Sequence, residues 1–210
     1  MKTTIQIVLI ALAIFLGYQI FRTIEDPIEF KKERKAREEV TISKLKDIRK
    51  AELAFKNENE HFTGDWDSLI TFVKEDSLSL VRKIGMLTDS MIDAGWTEKT
   101  ALKKGRIIRD TLHVSVLDSV FGKDYPIDKL KYIPVKDTVA VFQLGVNIIK
   151  TGSGIVVPVF EAKAHNNIVL RGMNRQMIIN LNEESRINNK YPGLKVGSLE
   201  EVNNNAGNWE

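Results

Sequence analysis

The chain has no cysteine. That removes disulfides, thiolate metal sites, iron–sulfur clusters and cysteine nucleophiles together. It leaves the compartment open, because a cysteine-free chain suits either redox environment. Histidine is also scarce. His61, His113 and His165 lie far apart, and none has a second histidine at the spacing of a helical metal motif. His113 alternates with apolar neighbours and should face solvent. No metal or cofactor is expected. A surplus of one charge is missing too: 31 Lys and Arg against 28 Asp and Glu leave a net charge of +3. No nucleic-acid partner is expected, since such a partner calls for a basic face free of interleaved acids.

The remaining catalytic signals are weak. Thr151-Gly-Ser-Gly154 lacks the spacing of a nucleophile elbow and the Lys-Ser/Thr ending of a phosphate loop, so it reads as a hairpin turn. The pairs Glu183-Glu184 and Glu200-Glu201 lie in a polar tail, and adjacency in sequence does not make two carboxylates converge in a cleft. The chain is therefore expected not to be an enzyme.

What is present begins with a long apolar run. Residues 3–21, TTIQIVLIALAIFLGYQIF, carry no charge and end at Arg22. About 20 helical residues cross a hydrocarbon core, so this segment is expected to be a single-pass membrane anchor. A cleaved signal peptide would need small residues after the run, and Gly-Tyr-Gln-Ile-Phe-Arg supplies no such site. Lys2 precedes the run, whereas Arg22, Lys31, Lys32, Arg34, Lys35 and Arg37 follow it. Counted literally, these charges place the large domain in the cytoplasm. Only Arg22 is next to the span, however, and a short tail carrying Lys2 also suits an anchor whose C-terminal part is exported.

Asp26-Pro27 should then open a second helix from Ile28 to Asn59, with Asp26 as N-cap and Pro27 in the first turn. Its first half, KKERKAREEV at 31–40, is charged all round and reads as a solvated stalk held by i,i+4 pairs. Contact of its bases with anionic lipid, at about 1 kcal/mol each, is the alternative. Its second half is amphipathic. Ile42, Leu45, Ile48, Ala51 (or Glu52) and Phe55 recur every three or four residues, so it should pack on its own domain. Gly64 marks a turn, and Asp67-Ser68 should cap a short helix running to Val73.

Beyond Leu80 the pattern favours strands and turns. Arg106–Leu117, Val139–Lys150 and Ile155–Ala164 are strand candidates, with a short helix at Thr97–Lys104 between them. The face of the second strand shifts near position 142, as at a bulge. It should pair with the third as a hairpin. Pro158 demotes the third strand to an edge or a bulge. Met177–Leu181 reads as a strand or a helix end. The Asn-rich C-terminus favours turns and left-handed backbone.

The expected organisation is thus an α+β chain: an anchor at 1–22, a charged helical stalk at 23–41, a globular domain with an antiparallel sheet at 42–181 and a loop-like tail at 182–210. Candidate partner-binding residues are Ile42, Leu45, Ile48 and Phe55 on the helix, with Phe62 and Trp66 flanking the Gly64 turn, because interfaces are rich in such side chains. The edge around Pro158 and Trp96 are further candidates.

In this order of parts the chain resembles the type IV pilins and pseudopilins. An apolar N-terminal helix runs toward an Ala-rich helix end (Ala51, Ala54), an aromatic (Phe55, Phe62), a Gly64 turn and a short helix carrying Ser68, Leu69 and Ile70. The resemblance implies a domain exported to the periplasmic side of an inner membrane and a structural role in a secretion or pilus-like assembly. It also implies contacts with other envelope proteins and possible homo-oligomers. Two marks of that class are missing: a glycine ahead of the apolar run and a glutamate inside it. Pro27 and the charged stalk would moreover interrupt a continuous helix. The resemblance therefore implies an accessory or scaffold that does not polymerise.

Overall fold

The computed structural model describes residues 2–135 and 138–210. Met1, the first residue of the expected anchor, lies outside them. One unbroken helix, α1 (Lys2–Asn59, 58 residues), runs for about 87 Å at about 1.5 Å per residue. The expected break at Asp26-Pro27 does not occur, and Pro27 lies inside the helix. Continuing through proline forfeits one backbone hydrogen bond, whereas stopping would strand four donors and require a new nucleus.

Helix α1 ends where Glu60 turns left-handed (φ 65°), its N–H returning to the Lys56 carbonyl at 2.8 Å. Helix α2 (Trp66–Glu75) follows. Its N-cap is Asp65, not the expected Asp67-Ser68, and the Asp65 carboxylate accepts both the backbone N–H and the hydroxyl of Ser68. Starting two residues earlier brings Trp66 into the first turn, and its indole N–H donates to the Phe142 carbonyl at 3.1 Å.

An antiparallel ribbon comes next, made of β1 (Ser77–Ile84) and β2 (Ile108–Ser115). Two short helices, α3 (Asp89–Asp93) and α4 (Glu98–Lys103), connect its strands. Helix α4 falls where the sequence places one, and β2 lies within Arg106–Leu117. Helix α5 (Val116–Val120) leads out of the ribbon. The second sheet has order β3-β4-β5, from β3 (Gln143–Lys150), β4 (Val156–His165) and β5 (Gly193–Gly197). The hairpin β3–β4 closes through Thr151–Gly154 as expected, with the Thr151 N–H bonded to the Ile155 carbonyl at 2.9 Å.

The shift near position 142 is a strand boundary, not a bulge. Val141 bridges Tyr132 and the Phe142 N–H donates to Lys131 before β3 begins. β4 is the central strand, contrary to an edge assignment. Pro158 is still accommodated, because β5 pairs only with Glu161–His165 and leaves β4 a free side at that level. Helices α6 (Asn166–Val169) and α7 (Arg175–Ile187) join β4 to β5, so Met177–Leu181 is helical.

The C-terminus is more ordered than its composition suggests. Asn204 and Asn205 are both left-handed, the pattern of a tight hairpin turn. The chain then returns along β5, with Val196 bridging Gly207 and Asn208 exchanging bonds with Lys195 on both its main chain and side chain. The free edge of β5 is thereby blocked. Arg49 fastens this tail to α1 through the Glu210 carboxylate at 2.8 Å. The core lies between the C-terminal half of α1, α2 and the inner face of the three-stranded sheet. Leu45, Ile48, Leu69, Val73, Phe160, Ala162 and Val196 meet there.

Candidate functional site

The six residues read from the sequence as a docking surface have their side chains engaged inside the chain. Leu45, Ile48 and Phe62 are buried core residues, and Ile42, Phe55 and Trp66 pack against them half-buried. Phe62 packs against Phe160 with the rings tilted and their centroids 4.8 Å apart, and Phe55 meets Phe72 edge-on at 5.1 Å. The regular spacing on α1 reports the contact of helix with sheet. Trp96 is half-buried beneath the Lys104 ammonium, 4.0 Å from the ring centroid.

The apolar surface the chain leaves uncovered lies earlier. Residues of α1 from Thr4 onward form a helix long and apolar enough to cross a membrane, and none of that apolar window is buried. Isolated exposed apolar side chains are ordinary, but a continuous sleeve of them is not. Helix α1 begins to touch the domain just beyond it. Phe30 packs on the core cluster, and Arg22, Asp26, Glu29, Phe30 and Glu33 face Met173 and Asn174 across a cleft of about 230 Å³. The charged segment is not solvated all round. Arg37, paired with Glu33, also donates to the Arg171 carbonyl at 2.7 Å, and Thr41 is buried.

One titratable group is buried in the core. Glu52 projects from α1 beneath the α1–α2 loop, where its Oε2 accepts the Thr63 N–H at 3.1 Å and its Oε1 meets no partner. Burial pushes its carboxyl up to about 8, partly opposed by the Thr63 hydrogen bond. At neutral pH Glu52 is an uncharged strut holding the loop to the helix. The sequence left Ala51 or Glu52 open as the inward residue, and both are fully buried.

Two other polar groupings are structural. Tyr125 donates to the Asp47 carboxylate at 2.8 Å and accepts from the Lys44 ammonium at 3.1 Å. Burial, with Asp47 adding to it, raises the phenol above its usual range. Burial works against ionisation of Glu161, but the ammonium groups of Lys163 and Lys195, at 2.8 and 3.2 Å, hold its carboxyl below the usual range.

The histidines do not converge. His61 and His113 are exposed, while His165 caps α6 and is held low by burial. Among the described residues no group of three His, Asp or Glu is placed to hold a metal ion. A cleft of about 680 Å³ opens between α1, α7 and the C-terminal tail, with Arg34, Asn166, Tyr191, Lys195 and Trp209 on its walls. The Trp209 indole N–H is buried without a partner. No composition or spacing signal marks this cleft, because its walls come from four separate segments. No protein family, curated protein or solved structure matches the chain.

Proposed function

We propose that the chain is a single-pass, membrane-anchored structural or scaffold component of a cell-envelope assembly, acting by contact with other proteins. The observation that carries this reading is the apolar N-terminal segment of α1. It is uncovered by the rest of the chain, yet it is one helix with the segment packed in the core. A sleeve of this kind is costly in water and suits a bilayer. The exported, periplasmic side is the reading taken for the domain, and the pilin-like order of parts supports it. The unbroken α1 supports that order more closely than an interrupted stalk would.

A reporter fused after Glu210 tests the side. Activity only in the exported compartment supports the proposal, and activity only in the cytoplasm makes the chain a membrane-tethered adaptor instead. Deleting residues 1–22 should leave a folded domain that fails in the cell, and full complementation by the truncated chain refutes the anchor as a functional element.

The cleft beside Trp209 favours a second reading, an anchored ligand-binding or cell-wall-acting domain. Its polar walls and orphaned indole N–H are features of a binding pocket. Protection of Trp209 fluorescence from quenching by soluble cell-wall fragments would favour it.

A further inference from the structure

We propose that the outer half of the β1–β2 ribbon is a docking face for a second copy of the chain. In the antiparallel register Arg82 stands opposite Asp110, and Ile84 opposite Ile108. Alternate residues of a strand share a face, so Arg82, Ile84, Ile108, Asp110 and Leu112 lie on one side of the ribbon. At its base this side meets the domain, where Leu78 packs against the core cluster. Farther out it is uncovered: Leu112 is 40%, Ile84 43% and Ile108 53% exposed. Helix α4 does not close it, because its Glu98 reaches the opposite side and pairs there with Lys83 and Arg109 at 3.0 and 2.9 Å. A two-stranded ribbon is marginal in water until something packs on its apolar side.

The charges at the centre of this face point to the occupant. The Arg82 guanidinium and the Asp110 carboxylate lie 3.7 Å apart and are both about half exposed. Among the described residues neither side chain makes a hydrogen bond. A wholly apolar partner would strand both charges, whereas a second ribbon satisfies both. Consider two ribbons stacked face to face, about 10 Å apart, with a twofold axis between them along the strands. Each β1 then lies over the β2 of the other copy. Arg82 meets Asp110 of the second copy, and Ile84 meets Ile108 of the second copy. A twofold across the strands, through the same charges, would stack arginine on arginine.

The patch is small. Strands about 4.8 Å apart, rising about 3.4 Å per residue, present on the order of 200 Å² per chain over this half of the ribbon. A stable dimer needs roughly 800 Å² per partner. Pairing therefore relies on α1 holding both chains in one membrane, which raises their effective concentration. In this respect the inference rests on the anchor proposed above.

Because the chain has no cysteine, single cysteines report contact cleanly. Two full chains with tags of different size, one carrying Ile84→Cys and the other Ile108→Cys, are reconstituted together in phosphatidylcholine vesicles and treated with a short bis-maleimide. Crosslinked mixed pairs are expected, and Thr111→Cys in place of Ile108→Cys, on the opposite side of the ribbon, should give only background. Arg82→Asp in both chains, or Asp110→Arg in both, should lower the yield by roughly tenfold, because charges of one sign then meet. Putting Arg82→Asp in one chain and Asp110→Arg in the other should restore it. Neither of those chains keeps an internal ion pair at this position, so the rescue reads pairing between copies. A chain with both changes, which keeps a reversed internal pair, should crosslink with its like as the original does. The docking face is refuted if the original chains crosslink no better than the Thr111→Cys background. It is also refuted if the yield ignores the single charge changes, if the complementary mixture does not recover, or if the doubly changed chain fails. Chains that do not float with the vesicles refute the anchor, and the pairing that depends on it falls with it. Flotation without crosslinking leaves the anchor standing and refutes the pairing alone.

Discussion

Replacing Glu52 with glutamine should stabilise the protein at neutral pH and flatten its dependence on pH. Glutamine keeps an oxygen for the Thr63 N–H but has no proton to lose. The wild-type carboxyl goes from an ordinary 4.5 in the unfolded chain to about 8 in the folded one. Between those values the folded state holds a proton that the unfolded state has released. Stability therefore falls by about 1.4 kcal/mol per pH unit as pH rises through that window, and levels off above it. At pH 7 the accumulated penalty is roughly 3 kcal/mol. The glutamine NH₂ leaves buried donors where one hydroxyl stood, so a net gain of about 2 kcal/mol is expected.

The assay is urea unfolding of the detergent-solubilised chain from pH 4 to pH 9, followed by the fluorescence of its three tryptophans, Trp66, Trp96 and Trp209. The quantity to read is the difference between variant and wild type. Glu98 and Glu161, whose carboxyls sit below the usual range, contribute stability that is lost as pH falls, and they do so equally in both chains. The variant should be about 1 kcal/mol less stable than wild type near pH 4, match it between pH 5 and pH 6, and gain on it steadily up to pH 8. A constant difference across the range would refute the assignment of a buried, neutral Glu52.

Glu60→Gly should raise stability by about 1 kcal/mol, because a non-glycine residue at φ 65° carries the left-handed penalty that glycine avoids. Thermal melting of the detergent-solubilised chain checks it. Gly197→Ala should cost more than about 2 kcal/mol, since Gly197 is left-handed (φ 74°) and an added Cβ would fall 2.1 Å from the Phe160 carbonyl oxygen. The same melts should show it. Trp66→Phe should cost about 1–2 kcal/mol by orphaning the Phe142 carbonyl, measured by urea unfolding.

Much of the fold is legible wherever local pattern and tertiary contact agree. The three- and four-residue spacing from Ile42 to Phe55 marks the buried face of α1, and Thr151–Gly154 marks the β3–β4 turn. The continuity of α1 through Pro27 was not legible, because the local stop signal competes with the cost of starting a second helix. The true cap, Asp65, lies two residues from an equally suitable Asp67, and only the Trp66–Phe142 contact separates them. The Asn-rich tail reads as loop by composition, yet its left-handed Asn204 and Asn205 fold it back along β5. The aromatic and aliphatic side chains read as a partner surface are the core, since apolar spacing alone does not say whether the covering surface belongs to the same chain. The clefts beside Trp209 and Met173 depend on segments distant in sequence and left no local trace.

The proposed function requires the apolar N-terminal segment of α1 to be embedded in a bilayer. Alkaline carbonate extraction of membranes from cells expressing the full chain tests this most directly, with a chain lacking residues 2–22 alongside. The full chain should stay in the membrane pellet while the shortened chain appears in the supernatant. Release of the full chain into the supernatant would contradict the account.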